Sequence, residues 1–412
     1  MSVEGVAVTR RVPYIRPVFG QAEIDAVVKA MLRGEGVALR IGESVAEFEK
    51  QIAALFGKRF GVMCNSGSSA LYVAVELLDL PQGSEVITPP LTFSTDIAPL
   101  VRAGLVPAFV DIDPLTLNLD FNGIEAMITP KTRAILAPNL AGNAPDWDGI
   151  REVADRHSLL VIEDSCDALG PTLRGSPTGT RSDISVTSFN VAHAITCAGF
   201  GGMVLLDDEG LRDRGLMLRR WGRRSEAITF GSRKDQRSFR DNLSGVAYDS
   251  LTIIDEVGWN FEPSELGAAF GLEQLKKLPM FADRRKHNFA RYQEIFSEHP
   301  EAFITPRVID GLDTTWQAYC VMIHPDSGFA RPELQEYLEQ KGIDSRPVWT
   351  GNVVRQPMLA NAQYRVPASG LPNADGVLER GIALPCGHGH DDDDIEYVGA
   401  CIDAFISEHG HK

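Results

Sequence analysis

An α/β fold is predicted: a mixed, mostly parallel sheet in a large domain, followed by a smaller C-terminal α/β domain. Three observations carry this reading. From Phe60 onward, short β-type apolar runs alternate with helical patterns, the signature of a parallel sheet covered by helices on both faces. Two neighbouring runs, Ile184–Phe189 and Met203–Leu206, are joined only by a Gly-rich turn; they can pair directly, which makes the sheet mixed. The length of 412 residues exceeds one compact domain, so the chain divides into 1–278 and 279–412.

In order, Gln21–Leu32 places Ile24, Val27, Val28, Met31 and Leu32 at helical spacing, with Gly34 as the stop. Ser44–Phe56 repeats the pattern with Val45, Phe48, Ile52 and Leu55 and ends at Gly57. Strands are expected at Phe60–Cys64, Glu85–Thr88, Ala108–Asp111, Ala134–Pro138 and Leu159–Asp164. Helices fall between them at Ser69–Leu78, Asp96–Ala103 and Gly149–Arg156. Arg219–Asp249 is polar and without period, which reads as a long loop, functional or disordered. Ser264–Leu278 and Met280–Phe296 read as two helices, and the domain boundary falls at their junction. The small domain has a strand at Gln317–Ile323 and helices at Pro332–Gln340 and Asp394–Ile406. The acidic run Asp391–Asp394 serves as the last helix's N-terminal turn.

Composition narrows the function. Hydrophobic residues make up 44% and charged residues 23%, as in ordinary globular proteins. The net charge of −16 argues against a general binder of nucleic acid or anionic membranes, while leaving room for a local phosphate pocket. Met1–Pro17 contains no apolar leader core, and no run is long enough to span a bilayer. The six cysteines include no C-x-x-C pair, so neither a zinc site nor a disulfide framework is expected; a cytoplasmic enzyme with reduced thiols fits best.

Chemistry-bearing residues cluster at the ends of the expected strands. Asn65-Ser66-Gly67-Ser68-Ser69-Ala70 opens a helix with small hydroxyl residues, which suits either an anion site or a plain N-cap. Phe93 follows the second strand and on its own reads better as a core residue at a strand end. Val161-Ile162-Glu163-Asp164 closes a buried strand with acids, and Asp167 follows; buried carboxylates need partners. Thr187-Ser188-Phe189-Asn190-Val191-Ala192-His193 ends a strand with a hydroxyl, an amide and an imidazole before a glycine turn. On its residues alone, this stretch favours reading His193 as an ordinary polar residue at a strand exit.

Taken together and in order, these stretches resemble the DegT/DnrJ/EryC1/StrS sugar aminotransferase family over roughly residues 12 to 405. The resemblance implies a type I pyridoxal phosphate (PLP) fold. It makes Ser68, Ser69 and Ser188 ligands of the coenzyme phosphate and Phe93 the ring that stacks on the pyridine. Asp164 becomes the partner of the pyridine nitrogen, and Asp167 lies near the coenzyme's ring oxygen and the sugar. Asn260, in Gly258-Trp259-Asn260-Phe261, matches an Asn that reaches the partner subunit's coenzyme, implying a homodimer. The family's coenzyme-binding Lys is replaced by His193, which resembles the branch of nucleotide-linked 4-keto-6-deoxyhexose 3-dehydratases. An imidazole cannot hold the aldehyde covalently but is a good base near neutral pH. Arg346 and Arg355, in a stretch ending Gly351-Asn352-Val353-Val354-Arg355-Gln356-Pro357, match that branch and imply contacts with a carboxylate or diphosphate.

Two departures matter. The cysteine spacing that carries a [2Fe–2S] cluster in many such dehydratases falls here on Cys166, Arg224, Glu226 and Lys234, so no cluster is expected and no metal is called. An aromatic of that branch is Asn190 here. The implied activity is removal of the C3 hydroxyl, with the coenzyme recharged to its pyridoxamine form by L-glutamate. A sugar aminotransferase with an unusual base and an inactive homologue are the alternatives.

Overall fold

The computed structural model describes residues 10–33 and 39–409; the expected stop at Gly34 and the first nine residues of the leader reading lie outside them. Its centre is a seven-stranded sheet, and the α/β class expected from the sequence is the one observed. The strands are β1 (Phe60–Cys64), β2 (Glu85–Thr88), β3 (Val106–Phe109), β4 (Thr132–Pro138), β5 (Leu160–Asp164), β6 (Ile184–Ser188) and β7 (Gly202–Leu206), in the order β1-β7-β6-β5-β4-β2-β3. All neighbours from β6 through β5, β4 and β2 to β3 are parallel. Only β7 runs antiparallel, pairing with β6 from Ile184↔Leu206 to Ser188↔Gly202 and with β1 on its other side. The connection, residues 189–201, contains no helix to serve as a crossover, and the two strands pair directly.

β3 begins two residues earlier than the sequence suggested. Pro107 lies inside it, which a central strand would not tolerate, but β3 is the sheet edge, where proline is accepted. Alternation along the strands builds a core on each face. Val62, Val204 and Leu206 point into one, with Val73 and Leu77 of α3 (Gly67–Leu77). Met63, Met203 and Leu205 point into the other, with Val45, Phe48 and Ile52 of the Glu43–Leu55 helix. The C-terminal ends of β4, β5 and β6 open onto a single crevice, where α/β sheets place their ligands.

A second, antiparallel sheet joins Phe303–Ile304, Ala318–Ile323, Gly381–Pro385 and Arg346–Pro347. It packs around Tyr292, Phe296, Tyr319 and Phe405. The Asp392–His409 helix starts as expected: Asp391 Oδ1 accepts the Asp394 N–H at 2.9 Å.

Three expectations are corrected. The two helices read on either side of Pro279 are one helix, Glu265–Ser297. Pro279 costs about 3 kcal/mol in a helix interior. The buried stripe that continues past it, Leu278, Phe281, Phe289, Tyr292 and Phe296, outweighs that at roughly 1.5–3 kcal/mol per side chain. The polar stretch Arg219–Asp249 is not structureless. It holds a helix, Arg224–Thr229, and a hairpin, Asp241–Leu243 with Val246–Tyr248. Arg224 ties the two to Asp255 at 2.7 and 2.8 Å and to Asp241. Finally, α1 (Gln21–Arg33) forms, but its apolar stripe faces outward, with Leu32 84% exposed. The buried residues are Ala30 and Glu23, and Glu23 accepts bonds from Gln274, Lys277 and the Gly20 N–H. Burial lifts that carboxyl, but these donors outweigh it and hold the pKa down at about 2.

Candidate active site

The crevice is a cavity of ≈ 470 Å³ at the ends of β4, β5 and β6, closed on the far side by Arg346, Pro347 and Trp349. Its three functional regions come from different elements.

At one end lies the start of α3. Ser66 caps it, its Oγ accepting the Ser69 N–H at 3.1 Å. Ser68 and Ser188 line the cavity beside it. The close approach depends on glycine. A Cβ on Gly67 would sit 2.7 Å from Ser188 Cβ and 2.9 Å from Cys166 Sγ, and one on Gly202 would sit 2.2 Å from the Ser66 carbonyl. Helix N–H groups and two hydroxyls facing a cavity suit an oxyanion such as phosphate. Ser69 is placed differently. It is buried, and its Oγ accepts from Ser66 at 3.0 Å, so it sits beneath the cavity, not on its wall.

The floor is acidic. Asp164 ends β5, with Oδ1 accepting the Cys166 N–H at 3.0 Å, and Asp167 Oδ2 accepts the Ala141 N–H at 3.1 Å. Beneath them is Asp96, fully buried on helix α4 (Ser94–Arg102) and bonded to the Thr92 hydroxyl. Burial, and then the Asp164 charge, lifts Asp167 to about 8. Burial lifts Asp164 as well. Phe93, 54% exposed, caps α4 and presents its ring to the cavity. An aromatic ring beside a carboxyl floor suits a flat ligand that carries a protonated nitrogen.

His193 stands on the loop after β6. Its N–H donates to the Asn190 carbonyl at 2.9 Å, and Asn190 Oδ1 accepts the Ala192 N–H at 3.1 Å. From the long helix, Arg285 Nη2 donates to the His193 carbonyl at 3.0 Å, and Gln317 Nε2 donates to the Ala192 carbonyl at 2.6 Å. The imidazole Nδ1 is buried without a partner. Burial, and then the Arg285 charge, push this imidazole down to about 4. It is therefore neutral at physiological pH and available as a proton acceptor.

Arg346 lines the cavity over the Tyr14 ring at 5.3 Å; its Nη1 donates only to the Ser345 carbonyl, at 2.7 Å. Arg355 is not brought to this cavity. It is paired with Asp375 through two bonds of 2.9 and 2.7 Å. Asn260 is also absent from the wall; it is exposed, in a backbone bridge with Arg220. Glu226 is buried between Arg40 and Arg220, and Lys234 is exposed.

Four residues escaped the sequence reading. Arg285 lies on the buried stripe Phe281–Arg285–Phe289, and a cation at a core position of a helix was the available signal. Asp96 shares the inward face of α4 with Ile97 and Leu100, a similar signal. Tyr14 and Gln317 arrive from distant segments and carried no local sign.

The family model of the DegT/DnrJ/EryC1/StrS aminotransferases matches residues 19–403. A dTDP-4-dehydro-2,6-dideoxy-D-glucose 3-dehydratase of Saccharopolyspora spinosa is 35% identical over 96% of this chain and 87% of its own. A GDP-perosamine synthase of Caulobacter vibrioides is 31% identical over 89% of this chain and 91% of its own. The solved structure of an E. coli GDP-4-keto-6-deoxy-D-mannose-3-dehydratase with bound hydrated PLP superposes with a TM-score of 0.84, at 29% identity over 94% of this chain and 98% of that one. The fold is thus that of the type I PLP enzymes.

Proposed function

The chain belongs to the DegT/DnrJ/EryC1/StrS aminotransferase family, and on that premise we propose that it is a PLP-dependent sugar 3-dehydratase. It removes the C3 hydroxyl of a nucleotide-linked 4-keto-6-deoxyhexose, with L-glutamate as amine donor. The observation that carries the reading is His193: a neutral imidazole on the cavity wall, at the position to which the family resemblance assigns a lysine.

The residues present suit the coenzyme. The α3 N-terminus with Ser68 and Ser188 holds its phosphate, while Ser69 supports that turn from beneath. Phe93 would stack on its ring, Asp164 would pair with its pyridine nitrogen, and Asp167 would lie near its ring oxygen. When bound in its pyridoxamine form, the coenzyme supplies an amine for the sugar's 4-keto carbon and an electron sink for the bond cleavage. His193 takes a proton at the coenzyme C4′ atom and returns it to the departing C3 hydroxyl. Having no amine, it does not bind the coenzyme covalently. Arg346, free of any carboxylate partner among the described residues, receives the glutamate carboxylate or the sugar's diphosphate.

The active unit is a homodimer in which Asn260 reaches the neighbouring coenzyme phosphate. Support comes from the exposed apolar set near it, Val257, Ile254 and Trp221, and from the outward stripe of α1. No iron–sulfur cluster takes part. The aligned positions are Arg224, Glu226 and Lys234, and the first two are engaged in ion pairs. Six free cysteines are consistent with a cytoplasmic location. No described helix is long and apolar enough to cross a membrane.

The likeness to a perosamine synthase favours one second reading, amino transfer to the same keto-sugar by a different base. Incubating the enzyme with PLP, glutamate and a panel of nucleotide 4-keto-6-deoxysugars separates the two. Loss of water with release of ammonia supports dehydration; an amino-sugar product overturns it.

A further inference from the structure

We infer that Asp96 is a positioning residue: it shares one proton with Asp164 and donates it to that carboxylate, keeping Asp164 anionic toward the cavity. The ring that Asp164 faces rests on the proposed function; the carboxyl pair does not.

The argument starts from accounting for oxygen atoms. Asp96 is 0% exposed, on the inward face of α4. Its Oδ2 takes the Thr92 hydroxyl, while Oδ1 is buried without a donor. A buried carboxylate oxygen left bare is costly. The neighbouring side chain within hydrogen-bonding reach is Asp164, itself an acceptor of the Cys166 N–H. Two acceptors in contact satisfy each other only if one carries a proton.

The charges facing the pair agree. Those acting on Asp96 come from Asp164 and Asp167, both carboxyl groups. Burial, and then Asp164, lift Asp96 well above the carboxylate range, while its bond to Asp164 lowers Asp164. The proton therefore resides on Asp96. Asp164 keeps one charge, oriented by a donor on each side, where a pyridinium N–H can meet it. A single aspartate in this slot would be free to take up the proton itself and lose its hold on the ring nitrogen.

The test uses the full-length chain, with and without PLP. Infrared difference spectra of wild type against Asp96→Asn, coenzyme-free at neutral pH, should show loss of one protonated-carboxyl C=O band. Thermal unfolding midpoints of the coenzyme-free protein should fall with rising pH in the wild type. An acid whose folded pKa is raised stabilises below its unfolded value and loses that contribution as pH rises. In Asp96→Asn, that decline should be shallower. With PLP added, Asp96→Asn, which keeps a donor to Asp164, should bind within about threefold of wild type. Asp96→Leu should bind about ten- to a hundredfold more weakly, the scale of a hydrogen bond to a charge. If no acid band is lost, or if the Asn variant binds as poorly as Leu, the proposal is wrong. The spectral and pH tests need neither coenzyme nor substrate, so their failure is distinct from failure of the proposed activity. Should Asp96→Leu not fold, the Asn variant alone decides.

Discussion

His193 is shaped by two neighbours that never touch its ring nitrogens. Arg285 bonds its carbonyl and depresses its proton affinity, and Asn190 fixes the turn that presents it. His193→Ala should still bind PLP, because the contacts to phosphate, ring and nitrogen lie elsewhere. Its turnover should fall by about 10²–10⁴-fold, the scale of a positioned base; near-normal turnover would remove His193 from the mechanism. Borohydride treatment of the PLP-loaded wild type should leave no coenzyme on the polypeptide by mass spectrometry. The same treatment of His193→Lys should leave one equivalent attached. The pH dependence follows from the same environment. The unfolded imidazole takes a proton below about 6.5, whereas the folded one refuses it until about 4. The contribution of His193 to stability therefore falls as pH drops across that window, opposite in sign to that of the raised carboxyls. His193→Gln should flatten this part of the curve, measured by urea unfolding at a series of pH values.

At the scale of elements, helices fasten one another through their ends. The Glu43–Leu55 helix begins at Gly42, which has no side chain to cap it. Its cap comes from the long helix: the Glu265 carboxylate accepts N–H bonds from Gly42, Ser44 and Val45 at 2.8, 2.7 and 3.0 Å. Ser264, one residue earlier, caps the long helix itself. Glu265→Ala leaves three donors unsatisfied and should cost about 2–4 kcal/mol by denaturant titration. Glu265→Gln, with one acceptor oxygen, should fall between. The same helix carries Arg285 to the His193 loop, so the Glu265 cap joins the start of the large domain to the catalytic wall.

For the whole molecule, the surface is the open matter. A stripe that should be core, Ile24, Val28, Met31 and Leu32, is turned outward, and Val257 is 94% exposed. Unpartnered apolar faces of this kind mark contact surfaces. Sedimentation should give twice the 45.0 kDa chain mass. Mixing Asn260→Ala chains with His193→Ala chains should restore activity, since one site of each hybrid dimer then draws both residues from unmutated positions. If hybrids form and no activity returns, Asn260 does not act across the interface.

Local sequence determined most strands of the central sheet, the helices between them to within about two residues, and which strand ends carry acids, hydroxyls and an imidazole. Period-2 and helical burial, with cap chemistry, act within a few residues and so leave a local trace. Ser68, Phe93, Asp164, Asp167, Ser188, His193 and Arg346 were singled out through the family resemblance, and the fold gathers them around one cavity. Tertiary structure decided the rest. It carried a helix straight through Pro279, because burial on both sides exceeds the loss of one backbone bond. It turned the apolar stripe of α1 outward, because Glu23 found three donors inside. It took Arg355 out of the cavity by pairing it with Asp375, and it brought Asp96 under Asp164 and Arg285 behind His193. The proton affinities of those buried groups depend on burial and on charges far away in the chain, and no window of sequence contains them.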